Sequence, residues 1–374
     1  MLLPHCYNES ILRTERGMYM HMADALLAPA VAATMYAASA VTVGASVKTL
    51  KKDETAAKLP TMAVTSALVF AGQMINYTIP GTGSSGHLCG GMLLSALLGP
   101  QAGFLSMVVI LTIQCLFFAD GGLLALGANC WNMAFYGCFV GYYLLWRPIM
   151  GSRLFGSMGA RAAGRMRIIL ASVLGCVLTL QLGAFSVVLE TSLSGITELP
   201  FAAFVGIMQP IHLAIGLVEG LITSAVLLFV YEARPALLMD VNAGDAAAQG
   251  RCSFRATLAV LTAVVVVVGG GLSLVASANP DGLEWSMFGN AESGYSENMG
   301  LDEESYGVSS GAAEVAGSIQ EKTAFLPDYA FANSDSAAGT TVSGLLGSAI
   351  VAGVAVLVCM AGGFFRKKKA AANA

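Results

Sequence analysis

The sequence predicts an all-α polytopic membrane protein: a seven-helix body, one of whose helices is of half length, followed by a two-helix C-terminal module. Of its 374 residues, 56% are hydrophobic and only 11% are charged, whereas soluble domains carry about a quarter charged residues. The mean hydropathy is +0.71. A chain this apolar cannot cover its surface with polar groups, so we expect the lipid bilayer to be its solvent. No basic stripe with interleaved aromatic residues indicates a nucleic-acid partner.

Apolar runs long enough to cross a bilayer recur along the chain. A helix needs about 20 apolar residues to span the hydrocarbon core. The shorter run 88–99 is typical of a half-length or re-entrant helix, and counting it as a crossing gives nine crossings in all. The full-length candidates are 24–47, 60–79, 102–119, 122–146, 168–190, 202–231, 257–278 and 342–364.

The basic residues predict the orientation of these crossings. They lie between the first two spans, between the fifth and sixth crossings, between the seventh and eighth, and after the last. The other loops, 80–87, 191–200 and 279–341, contain a single basic residue, Lys322. Because basic residues favour the cytoplasmic side, we expect an inner-membrane protein with its N-terminus outside and its C-terminus in the cytoplasm.

Changes in composition divide the chain into four segments. Residues 1–19 have neither the basic start nor the apolar stretch of a secretory signal, and we interpret them as a leader created by a misassigned start. The seven-helix body covers 20–235 and the Gly- and Ala-rich cytoplasmic linker covers 236–256. The module, 257–374, has an acidic external loop that we expect to be flexible, since such compositions bury little apolar surface.

Two of the four histidines lie in unusual segments. His21 follows Met20 at the predicted outer mouth of the first helix. His87 comes directly after the glycine-rich external run 81–86, just before the half-length helix. Irregular backbone at membrane depth persists only where it lines a cavity or is buried in protein, and such discontinuities form transporter binding sites. Either histidine alone is more typical of an ordinary interfacial histidine than of a metal ligand, and the resemblance described next, in which both lie within family motifs on one membrane face, favours the metal site.

Four ordered segments resemble the substrate-binding membrane subunits of cobalt and nickel energy-coupling-factor transporters. A fifth, NPDGLEW (279–285), resembles the small PDGLE accessory module of such transporters, here fused to the same chain, and we expect it to dock near the loop at His87. The loop sequence is closer to nickel members than to cobalt members. The four segments are MHMADALLAP (20–29), GQMINYTIPGTGSSGHLCGG (72–91), LLGPQAGFLSMVVILTIQCLFFADGGLLALGANCWNM (97–133) and HLAIGLVEGLITSAVLLFVYEARP (212–235).

The resemblance implies a ligand set. In that family the metal is held by the free amine of an N-terminal Met, by the following His and by the loop His, which here are Met20, His21 and His87. The amine, the His21 amide nitrogen and the His21 imidazole would form two fused chelate rings, with His87 as the fourth nitrogen of a plane, an arrangement that favours Ni(II). Since Met20 is internal, we expect translation to start there or the leader to be cleaved there. The alternative is a true extension with a weaker, rearranged site.

Weaker candidates accompany these ligands. His212 starts a crossing on the outer side and is either a hydrogen-bond partner that orients a ligand or a core histidine. Asn76 and Gln73, on the span that leads into the loop, either orient His87 or bond between helices.

Several carboxylates need interpretation in a membrane protein. Asp24 and Asp120 near the outer face either attract cations or cap helices, and we favour capping. Glu219 lies within a crossing, where ionisable groups are usually functional or paired, and we expect it to contact Thr223 rather than the metal.

Transport needs an energy source that the sequence does not contain. There is no G-x-x-x-x-G-K-[ST] segment for ATP binding. The resemblance implies a substrate-specific component of an importer, with Ni²⁺ or Co²⁺ as the transported substrate, nickel favoured, and no permanent cofactor. It also implies a coupling transmembrane subunit and ATP-binding subunits as partners. The alternatives are a metal sensor or scaffold, an intramembrane enzyme, for which no H-E-x-x-H is present, and a vitamin-binding subunit.

Overall fold

The computed structural model describes residues 21–50, 52–195, 200–241, 250–290, 310–331, 336 and 338–372. The described chain is predominantly helical with a small two-stranded sheet, which confirms the predicted all-α class. In chain order the elements are α1 (Pro29–Thr49), α2 (Lys52–Gln73), β1 (Tyr77–Ile79), β2 (Ser84–Gly86), α3 (Gly91–Leu98), α4 (Pro100–Phe118), α5 (126–151), α6 (Ala160–Ser194), α7 (Phe201–Ala233), α8 (Phe254–Gly270), α9 (Gly282–Phe288), α10 (Gly311–Thr323) and α11 (Ala338–Ala372).

Most predicted spans are long apolar helices. Among the described residues, six helices have the length and composition to cross a membrane: α1, α4, α6, α7, α8 with the turn that follows it, and α11. The predicted spans 60–79 and 122–146 fall on α2 and α5. Helix α5 begins at Leu126–Asn129 and then runs largely as a π-helix to Trp146. The protein therefore passes through the membrane several times, as predicted.

The predicted span 60–79 is wrong at its C-terminal end. Helix α2 stops at Gln73, and strands β1 and β2 form an antiparallel hairpin in which Thr78 lies opposite Ser85. Gly81 and Gly83, in the turn, have φ of +78° and +71°, values that L-residues rarely adopt. The apolar stretch continues through Tyr77 and Ile79. Because buried strands and buried helices both contain apolar residues, hydropathy does not reveal where α2 ends and β1 begins.

The half-length helix predicted at 88–99 is confirmed as α3. It starts after Gly90, which has φ of +83°, and all eight of its residues are buried. Gly99, with φ of +85°, ends it, and Pro100 starts α4. Proline at a first helical position costs no hydrogen bond. The glycines at both ends explain how a short helix enters and leaves the interior of the bundle.

The C-terminal module packs on the body, and its external loop contains ordered structure. Ser348 of α11 donates a hydrogen bond to the Ala67 carbonyl of α2. Leu261 of α8 and Ala67 belong to one apolar core that the module and the body share. The described parts of 279–341, where the composition predicts a flexible loop, form α9, α10 and a 3₁₀ turn at Pro327–Tyr329. Met287 of α9 packs in an apolar cluster with Met22 and Leu26, whereas α10 buries only Ala316. Residues 291–309, 332–335 and 337 lie outside the described chain.

Helices α3 and α5 approach closely at two glycines. A Cβ on Gly137 would lie 2.7 Å from the Cα of Gly91, and one on Gly91 would lie 2.9 Å from the Cα of Gly137. Small residues allow such backbone contact between membrane helices. This contact fixes the depth of α3 against α5.

We predict that Gly137→Ala destabilises the protein by about 1–3 kcal/mol, the usual cost of overpacking a core. Gly44→Ala is the matched control, because a Cβ at Gly44 of α1 meets nothing within 4 Å. Thermal unfolding in detergent measures both variants. A Gly137→Ala protein as stable as the Gly44→Ala protein would contradict the close contact.

Candidate metal site

A cavity of about 110 Å³ lies between the hairpin, α5, α6, α7 and the start of α9. Three histidines line it: His21, His87 and His212. Asp281, the residue before α9, contributes to the wall from the C-terminal module. The structure thus brings together side chains that the sequence separates widely, and one of them comes from the accessory-like module.

The segment that carries His21 is held against the turn that follows α4. The Asn129 side chain bonds both the N–H and the carbonyl of Met22, each at 3.1 Å. A Cβ on Gly121, whose φ is +78°, would lie 2.7 Å from the Cβ of His21. Glycine at this position therefore permits the close approach that places His21 at the cavity.

His21 is paired with a carboxylate. Its Nδ1 lies 2.8 Å from Oδ1 of Asp120, and both side chains are almost fully buried. The His21 Nε2 is buried and has no hydrogen-bond partner among the described residues. Burial alone would raise the pKa of Asp120, but His21 and the hydrogen bonds from His21 and Tyr329 outweigh it and lower that pKa. The Asp120 carboxylate thus accepts a hydrogen bond from the imidazole.

His87 lies beside His21 at the start of the segment that leads into α3. The centroids of the two rings are 5.5 Å apart at an interplanar angle of 62°. Burial, and secondarily the neighbouring His21, lowers the pKa of His87. A neutral imidazole has a lone pair to offer a metal ion, so the environment of His87 suits a nitrogen ligand.

Glu219 was predicted to contact Thr223, but its main partners are backbone amides. Its carboxylate accepts hydrogen bonds from Cys89 N and Gly90 N, both at 2.9 Å, and it is 1% exposed. These amides precede α3 and would otherwise lack partners at membrane depth. Glu219 therefore holds the backbone two and three residues after His87. The position of Glu219 within a predicted crossing indicates that it has a partner, but the sequence does not identify that partner.

Gln73, the last residue of α2, and Asn76, just after it, form hydrogen bonds with neighbouring segments. Gln73 donates to the Cys89 carbonyl at 2.9 Å, so it steadies the segment next to His87. The carbonyl of Asn76 accepts from Ser277 N at 2.7 Å, and its side chain is buried. His212 bonds the Met208 carbonyl through Nδ1 at 2.8 Å, which orients its ring at the cavity wall.

Asp24 and Asp120 have different partners. Asp24 accepts from Ala125 N at 3.0 Å, in the turn before α5, whose first residue has no side-chain cap, so its capping role stays a prediction. The Asp120 carboxylate bonds His21, a partner that was not predicted. Sequence did not reveal this pair because the two residues are far apart in the chain.

The expected docking of the PDGLE-like segment near His87 is observed. Ser85 donates its backbone N–H to the Pro280 carbonyl at 2.8 Å and its hydroxyl to the Asn279 carbonyl at 2.8 Å. Asp281 caps α9 by accepting from Leu283 N and Glu284 N. Burial raises the pKa of Asp281, although His87 opposes this effect. The module thus forms one wall of the cavity and is hydrogen-bonded to β2.

Comparison with known proteins agrees with these features. The family profile described as the cobalt uptake substrate-specific transmembrane region, CbiM, matches residues 21–237. The chain belongs to the CbiM family. A second profile, the PDGLE domain, matches residues 255–362.

Relatives of similar length share both parts. A putative fused nickel transport protein, NikMN, of Archaeoglobus fulgidus is 34% identical, over 89% of this chain and 95% of the relative. The fused nickel transport protein NikMN of Rhodobacter capsulatus is 30% identical, over 90% of this chain and 96% of the relative. A solved structure described as a transition metal transporter shares 30% identity with a TM-score of 0.46, over 57% of this chain and 94% of that chain.

The described side chains of this CbiM-family member do not form a complete metal site by themselves. Among the described residues, no three His, Cys, Asp or Glu side chains are grouped as metal ligands. Met20, the predicted source of the amine, lies outside the described residues. An ion held at His21 and His87 therefore needs further nitrogen or oxygen atoms from elsewhere.

We predict that Glu219→Gln loosens the backbone at Cys89 and Gly90. The carboxylate has two acceptor oxygens, one for each amide, whereas the glutamine side chain has only one. The loss of a hydrogen bond to a charged group corresponds to about 1.5–3 kcal/mol. Hydrogen exchange of these two amides should accelerate accordingly. Glu190→Gln is the matched control, because Glu190 is a buried helical carboxylate with a single side-chain bond, from Asn132, that an amide oxygen retains. Unchanged exchange in Glu219→Gln would contradict the capping role.

Proposed function

We propose that this chain is the substrate-specific component of an energy-coupling-factor importer and that it binds nickel between His21 and His87. The observation that carries the proposal is the approach of the two imidazoles, 5.5 Å apart, in a buried cavity. The family membership and the names of the fused relatives support metal uptake as the activity. The ion is the transported substrate, and the protein needs no permanent cofactor.

The ligand set that we propose consists of the Met20 amine, the His21 amide nitrogen, the His21 imidazole and the His87 imidazole. A chelate ring that includes the His21 amide nitrogen closes through Nδ1, the ring nitrogen nearer the backbone. In the ion-free structure Nδ1 bonds Asp120. Nickel binding at Nδ1 therefore requires this bond to break and the His21 ring to rotate about Cβ–Cγ, after which Nε2 is the ring nitrogen left to donate to Asp120.

This donor set suits nickel, which the names of the fused relatives also favour. A plane of four nitrogens suits Ni(II) or Cu(II), whereas Zn(II) prefers a tetrahedron. The absence of a further grouped His, Cys, Asp or Glu ligand among the described residues is consistent with a site completed by nitrogens of the chain terminus. Cobalt remains the second candidate because the matching family profile is described by cobalt uptake.

The orientation that we propose places the cavity on the outer side of the inner membrane. The cavity is lined by the second half of α6 and the first half of α7. At the opposite ends of these helices, Glu232 accepts hydrogen bonds from Arg161 and Arg165. Because basic residues favour the cytoplasm, the ion enters from outside. Inward release then requires the coupling subunit and the ATP-binding subunits.

We predict that His21→Ala and His87→Ala each weaken nickel binding by more than about 100-fold, beyond the 10–100-fold typical of partners that only orient a ligand. His212→Ala, which removes the third imidazole of the cavity, should fall within or below that range. Calorimetry with purified protein measures binding. Uptake of radiolabelled nickel by cells with and without the ATP-binding subunits tests transport.

Each outcome has a clear meaning. Nickel binding unchanged in both variants would eliminate the site. Nickel binding without uptake, even when the ATP-binding subunits are present, would favour the sensor or scaffold alternative.

We predict that blocking the amine of a chain that begins at Met20 weakens nickel binding by more than about 100-fold, as the loss of a direct ligand should. The comparison is between the same preparation with a free and with an acetylated N-terminus. The visible absorption of planar nickel should disappear in the acetylated protein. Equal affinity of the two forms would contradict the ligand set but leave the two histidines as candidates.

A further inference from the structure

The C-terminal module reaches His21 through a single tyrosine. Tyr329, in the 3₁₀ turn at Pro327–Tyr329, donates its hydroxyl to Oδ2 of Asp120 at 2.6 Å. The other carboxylate oxygen, Oδ1, is the partner of His21 Nδ1 at 2.8 Å. Tyr329, Asp120 and His21 thus form a continuous chain of hydrogen bonds from the module to the metal site, and all three are buried.

Tyr329 is itself firmly held. Its ring stacks on Phe118, with centroids 4.8 Å apart and planes inclined by 19°. Its carbonyl accepts from the Ser343 hydroxyl of α11 at 3.0 Å. Phe118 of the body and Ser343 of the module therefore hold Tyr329 from two sides, independently of Asp120.

The backbone at this turn adopts a conformation that needs support. Asp328 and Tyr329 have φ of +52° and +59°, values uncommon for residues other than glycine. Strain of this kind is maintained only where the surrounding structure compensates for it, and it concentrates at functional sites. Here it turns the Tyr329 side chain towards Asp120.

A second set of hydrogen bonds joins the same region of the module to α4 and the turn that carries Asp120. Gln320 of α10 donates to the Gly121 carbonyl at 2.7 Å and to the Cys115 carbonyl at 3.0 Å. Leu326 N bonds the Phe117 carbonyl at 3.3 Å. Helix α10 and the turn that follows thus hold the segment from Cys115 to Gly121 in place.

From this geometry we infer that Tyr329 is a positioning residue for nickel binding and acts through Asp120 on the ring of His21. The inference rests on the proposed function. A carboxylate that accepts from a fixed hydroxyl cannot rotate freely, and hydrogen bonds to ionised acceptors are short and strong. Asp120 then presents one oxygen to the His21 ring in a defined direction: to Nδ1 in the ion-free structure, and to Nε2 once the rotated ring binds nickel through Nδ1. Partners of this kind orient metal-ligating histidines and strengthen metal binding.

The test is Tyr329→Phe in the full chain, which removes the hydroxyl and keeps the ring on Phe118. The matched control is Tyr136→Phe, because the Tyr136 hydroxyl forms a 2.7 Å hydrogen bond with Ser186 and does not contact a candidate ligand in the described structure. With nickel chloride as the probe, we expect Tyr329→Phe to weaken binding about 10-fold and Tyr136→Phe to leave it unchanged. The ion-free melting temperatures of the two variants should be similar.

A double-mutant cycle shows whether the effect passes through Asp120. On an Asp120→Ala background, Tyr329→Phe should cause no further loss, because coupled residues are not additive. Wild-type affinity in Tyr329→Phe, equal losses in both tyrosine variants, additive losses in the cycle, or a selectively lowered ion-free melting temperature would each overturn the inference.

The same experiment separates the inference from the proposed function. If His21→Ala and His87→Ala bind nickel like the wild type, the proposed site is absent and the inference falls with it. If both lose binding while Tyr329→Phe retains it, the site stands and only the inference is wrong.

Discussion

Backbone groups at membrane depth must find hydrogen-bond partners inside the protein, and the interruption between α2 and α3 depends on this constraint. The carboxylate of Glu219 accepts the amides of Cys89 and Gly90, and Gln73 bonds the Cys89 carbonyl. A buried carboxylate is costly in lipid, yet here it replaces two missing helical acceptors. Without it, the amides of Cys89 and Gly90 would lack these acceptors, and the segment that carries His87 would be held less firmly at the cavity.

The second imidazole depends on a separate backbone feature, the glycine turn after α4. Gly121 allows the approach of His21, and Asp120, one residue earlier, bonds its ring. The module contacts the same region, with Pro280 on the hairpin and Tyr329 on Asp120. The start of α9 lines the cavity beside His21 and His87, whereas Asp120 and Tyr329 support His21 from outside the lining.

Sequence predicted the elements that follow from composition and periodicity. The apolar spans, the half-length α3 and the two histidines beside irregular backbone could all be found in this way, because each leaves a local signal. The hairpin at Tyr77–Ile79 could not, since strand and helix share the same hydropathy. The partners of Glu219 and Asp120 depend on which distant segments meet in the fold. Helix α10 was not predicted because it buries only Ala316, so its polar composition resembles that of a loop.

We propose that nickel lies among the amine of a chain that begins at Met20 and nitrogen atoms of His21 and His87. X-ray absorption of the nickel-loaded protein tests this coordination directly, because the spectrum reports both the ligand atoms and the geometry around the ion. We expect four nitrogen ligands in a plane, without sulfur or carboxylate oxygen. An octahedral, oxygen-rich environment, or a sulfur ligand from Cys89 or Met22 at the cavity wall, would contradict it.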